Sequence, residues 1–93
     1  MDRDAALELL NKQHTFPGAF RFRVVVPPAR VAETISALVA GAGEEATLGE
    51  VEERPSSRGT WVALRVSLHL PEAERVLDVY AVIGQLDYVV TSL

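Results

Sequence analysis

The sequence predicts an α+β domain: one antiparallel sheet with two helices packed on one of its faces. Three observations predict it. Ala19–Val26 and Thr60–Leu70 alternate side chains at the period of a strand; Ala29–Ala42 and Pro71–Gly84 repeat apolar residues at helical spacing; and Pro55-Ser56-Ser57-Arg58-Gly59 is a breaker-rich loop between two strand-like segments.

In chain order, Asp4–Lys12 holds Ala5, Ala6, Leu7, Leu9 and Leu10 among good helix formers, enough for one or two turns or a loose arm. Phe16-Pro17-Gly18 ends it. Residues 1–15 are thus expected as a short arm or helix, and residues 16–93 as one domain. The first strand places Phe20, Phe22, Val24 and Val26 on one face and Arg21, Arg23 and Val25 on the other. After Pro27-Pro28, the stripe Val31, Ile35, Leu38, Val39 and Ala42 marks a helix, with Glu33, Thr34 and Ser36 off the stripe and Gly41 and Gly43 available to close it.

The second strand, Thr47–Arg54, is crowded by Glu50, Glu52 and Glu53, which suits a sheet edge. The third sets Val62, Leu64, Val66, Leu68 and Leu70 against Trp61, Ala63, Arg65, Ser67 and His69. For the hairpin between them, the preferred register has a left-handed bulge at Gly59, with Val51 opposite Leu64 and Glu50 opposite Arg65, which keeps the glutamates off the core face. A second helix follows, with Val76, Leu77, Val79, Tyr80 and Ile83 as its stripe and Gly84 as its stop. Asp87–Ser92 reads as a fourth strand. The order β-α-β-β-α-β is that of the ferredoxin-like sandwich, a four-stranded antiparallel sheet of order 4-1-3-2 with one face open.

Ninety-three residues suffice for one core. Nine Lys and Arg against 13 Asp and Glu give a net charge of −4, which disfavours a general nucleic-acid binder. The absence of cysteine excludes disulfides, thiol nucleophiles and thiolate metal sites. No signal peptide or membrane span is read at the charged N-terminus, so a cytoplasmic location is expected. His14 and His69 lack paired ligand spacing, and no nucleophile elbow accompanies the serines; neither a metal, a cofactor nor an enzyme is expected. An RNA-recognition role is a minor alternative, because Phe20 and Phe22 face the core and the open face offers only Trp61 in place of a stacking platform.

Two surfaces remain. Ser56, Ser57, Arg58 and Gly59 could hold an anion through backbone N–H groups, hydroxyls and a guanidinium, or simply make a hairpin turn. Trp61, Arg21, Arg23 and Arg65 lie together on the open face and are residue types that dominate protein interfaces.

Phe16-Pro17-x-x-Phe20, Phe22-Arg23-Val24, Pro55-Ser56-Ser57-Arg58-Gly59-x-Trp61 and Leu86-Asp87-Tyr88-Val89-x-x-x-Leu93 resemble the YbeD-like family of small bacterial proteins of unknown function. The resemblance implies a ferredoxin-like domain similar to ACT regulatory domains, standing alone in the cytoplasm, with no established reaction. ACT domains that bind amino acids tend to have a glycine after strand one. Here Pro27-Pro28-Ala29 occupies that turn and removes amide donors. The expected function is therefore a non-enzymatic regulatory or protein-interaction module, a homodimer pairing through an edge with Val89 and Leu93. The alternative is a sensor of an anionic small molecule at Ser56-Ser57-Arg58.

Overall fold

A computed structural model describes residues 2–92. The fold is α+β, with three helices and a three-stranded antiparallel sheet. The elements are α1 (Arg3–Gln13), β1 (Gly18–Val26), a 3-10 turn (Pro28–Arg30), α2 (Val31–Ala42), β2 (Thr47–Pro55), β3 (Val62–Leu70) and α3 (Glu74–Gln85). The long strands run in the order β2-β3-β1, and Thr91–Ser92 add a two-residue segment, β4, along the outer side of β1.

Alternation makes the core. Phe22, Val24 and Val26 of β1 and Val62, Leu64, Val66, Leu68 and Leu70 of β3 are buried on one face, beneath Leu38 and Ala42 of α2 and Val76, Val79 and Ile83 of α3. Each large side chain so buried contributes about 1.5–3 kcal/mol. The aromatic residues continue the core toward α1: Tyr80 meets Phe22 edge-on at 5.3 Å, Phe22 meets Phe20 at 4.9 Å, and Phe20 meets His14 at 4.8 Å. Burial raises the Tyr80 phenol above its ordinary pKa.

α1 is a full helix of 11 residues, longer than one or two turns. Asp2 caps it, accepting a hydrogen bond from the Ala5 amide at 2.8 Å, and Leu10 packs against the core. α2 and α3 cross where Gly41 has no side chain: a Cβ there would lie 2.6 Å from Val82 Cγ2. Gly41 therefore lies inside α2 and serves the contact between the two helices, and α2 closes at Gly43, whose φ is +94°. Gly84 likewise lies inside α3, which ends at Gln85.

Two expectations about burial and pairing change. Thr34, set off the helical stripe by its polarity, is fully buried; its hydroxyl donates to the Arg30 carbonyl at 2.6 Å and lies 3.1 Å from the Tyr88 hydroxyl. Tyr88 is held there under Arg30, whose guanidinium sits 5.0 Å from the ring centre and pairs with Glu33 at 2.8 Å. Turning Tyr88 and Val89 inward shortens the expected strand Asp87–Ser92 to Thr91–Ser92, preceded by a hydrogen bond from the Val90 amide to the Val25 carbonyl at 2.8 Å. Val89 thus packs on the core and is no pairing edge; Leu93 lies outside the described residues.

The hairpin register also differs. Val51 faces Val66 and Glu52 faces Arg65, two residues along from the expected pairing, and the bulge sits between Leu48 and Val51. Gly59 does take φ +70°, but it belongs to a loop outside the ladder. The reason lies in Leu48 and Val51, which are three apart. Strict alternation would send them to opposite faces, whereas placing Gly49 and Glu50 together opposite Ser67 returns both to the helix side. Gly49 suits the tight spot, since a Cβ would approach the Ser67 carbonyl oxygen to 3.3 Å.

Candidate functional site

The sheet face opposite α2 and α3 is built in rows. Since β1, β3 and β2 pair in register, Arg23, Arg65 and Glu52 form one row, Val25, Ala63 and Arg54 the next, and Ala19, His69 and Thr47 another. Arg21 stands opposite Ser67, beside the bulge. The sequence-derived set Arg21, Arg23 and Arg65 is therefore gathered on one face, and Trp61, 38% exposed, stands just before β3.

Charge on this face is unevenly matched. Arg65 pairs with Glu52 at 3.4 Å, whereas among the described residues no carboxylate lies within 4.0 Å of Arg21 or Arg23. Arg23 and Arg65 are directly opposite each other, and like charges so placed are unfavourable by a fraction of a kcal/mol, roughly 0.2–1. Three depressions border the row: one of about 530 Å³ lined by His14, Ala19, Phe20, Arg21, Arg23 and Ser67, one of about 430 Å³ lined by Glu52, Glu53, Arg54, Pro55, Ala63 and Arg65, and one of about 310 Å³ lined by Arg21, Glu50, Val51, Glu52, Arg65 and Ser67. Sequence reasoning placed the arginines but missed His14, whose contact with Phe20 depends on where α1 ends.

The serine loop is more tightly closed than an anion nest. The Ser56 amide donates to the Trp61 carbonyl at 2.8 Å, the Gly59 amide to the Ser56 carbonyl at 2.9 Å, and the Trp61 amide to Ser56 Oγ at 3.1 Å. Those amides and one hydroxyl lone pair are occupied by the turn. Ser57 and Arg58 remain at an exposed tip beside a depression of about 290 Å³ that Ser56, Thr60 and Trp61 also line.

The described residues contain no cluster of three His, Asp or Glu able to hold a metal ion, and no helix long and apolar enough to cross a membrane.

A family model, Protein of unknown function (DUF493), matches residues 11–93, nearly the whole chain. The chain belongs to this family. The match agrees with the YbeD-like resemblance carried by the Phe-Pro and Pro-Ser-Ser-Arg-Gly segments. Among solved structures, the solution structure of protein HP0495 from H. pylori is similar with a TM-score of 0.67 and 21% identity, over 86% of this chain and 85% of that one. At that identity the likeness concerns the fold. No curated protein matches the chain.

Proposed function

We propose that the chain is a non-enzymatic regulatory or protein-interaction module that works through its open sheet face. The supporting observation is the row Arg23–Arg65, two guanidinium-bearing residues set opposite each other with a carboxylate on one side only. A free surface has no use for that repulsion, and a bound acidic group relieves it. In this reading the architecture is ferredoxin-like and ACT-like, with Thr91–Ser92 as a reduced fourth strand, and the protein acts in the cytoplasm as a homodimer.

Affinity capture from the native lysate with wild type, Trp61→Ala and Arg65→Ala tests the face. Loss of the same captured species in both variants is the expected result, and capture indifferent to both removes the reading. For the dimer, light scattering after size exclusion is decisive: a strict monomer at high protein concentration removes it.

A second reading is favoured by the free tip residues Ser57 and Arg58, which suit an anionic small molecule. Its mark is a metabolite that raises the melting temperature of wild type but not of Arg58→Ala.

A further inference from the structure

We infer that the outer edge of β1 is an acceptor for an extended peptide that adds a strand to the sheet and alternates acidic with apolar side chains. The inference rests on the reading of the chain as an interaction module and names the partner of that face.

The edge follows from one hydrogen bond. The Val25 carbonyl points away from β3, since it accepts from the Val90 amide at 2.8 Å. With a strand period of two, the amides and carbonyls of Arg23, Arg21 and Ala19 point the same way. The described pairing along this side covers only Val24 and Val25, through Ser92 and Thr91. Among the described residues, the Ala19–Arg21 stretch therefore presents donors and acceptors with no strand beside them, which is the requirement for strand addition.

Side chains choose the peptide. The depression of about 530 Å³ along this edge has a basic wall, Arg21 and Arg23, on the open-face side. Its other wall is aromatic, the Phe20 ring with the His14 imidazole edge-on to it at 4.8 Å. An added strand points successive residues to opposite faces, so one set meets the guanidiniums and the next meets the rings. Carboxylates suit the first set and aliphatic side chains the second. The strip is basic although the chain carries −4 overall. A second copy of β1 is a poor match, because a symmetric antiparallel pairing would bring the arginines of both copies together on one face with no carboxylate between them.

A short fluorescein-labelled peptide alternating Glu and Val is the probe, read by anisotropy at low salt. Binding is expected, weakened on the order of tenfold or more by Arg21→Glu. Methylating every second peptide nitrogen should abolish binding in one phase and leave it in the other, because only one set of amides faces β1. The amides of Ala19 and Arg21 should become protected from hydrogen exchange. Absence of binding, indifference to N-methylation in both phases, or preference for a poly(U) oligonucleotide would each overturn the inference. A protein captured from lysate that is lost with Trp61→Ala but kept with Arg21→Glu also overturns it, while leaving the interaction module standing.

Discussion

β1 and β2 flank the same strand, are both nine residues long and pair with β3 along most of their length, yet they differ in what lies beneath them. β1 buries Phe22, Val24 and Val26 under the helices, whereas every residue of β2 is exposed, including Leu48 at 42% and Val51 at 37%. β1 is held by burial and β2 mainly by its ladder to β3. Net hydrogen bonding contributes modestly per bond, so β2 is the part of the sheet expected to open first.

The largest break in that contrast is Phe22→Ala. It removes a fully buried ring that touches Phe20 and Tyr80 and should cost about 3–5 kcal/mol in urea unfolding. A loss below about 1 kcal/mol would mean that burial does not hold β1 in place. Val51→Ala, on the exposed strand, should cost no more than about 1 kcal/mol, and β2 amides should exchange faster than those of β1 in the same sample. The smallest effect is expected from Glu52→Gln. Its ion pair with Arg65 is solvent-exposed, so the loss should stay near 0.2–1 kcal/mol and shrink with added salt.

The same contrast explains what could be read from the sequence. Strands β1 and β3 and the two long helices were legible because half of each pattern is apolar and the core rewards only one phase. The register of β2 was not, because an exposed strand puts no penalty on a slip of two residues. Its signal was present in the spacing of Leu48, Gly49 and Val51, which calls for a bulge between the two apolar residues. Thr34 and Tyr88 were missed for another reason: besides the local bond from Thr34 to the Arg30 carbonyl, their two hydroxyls meet each other, a pairing across 54 positions that no local pattern displays.

Of the candidate site, Arg21, Arg23, Arg65 and Trp61 were placed by alternation alone. The closure of Ser56 around Trp61 could not be, since Ser and Gly suit a tight turn and an anion nest equally well.

That closure has a practical consequence. The loop is a self-locked knuckle, so its tip can change without pulling on the strands it joins. The chain contains no cysteine, so Ser57→Cys would provide a single attachment point for a dye. Sitting beside Trp61 at the rim of the face, such a dye would report arrival of a binding partner as a change in emission.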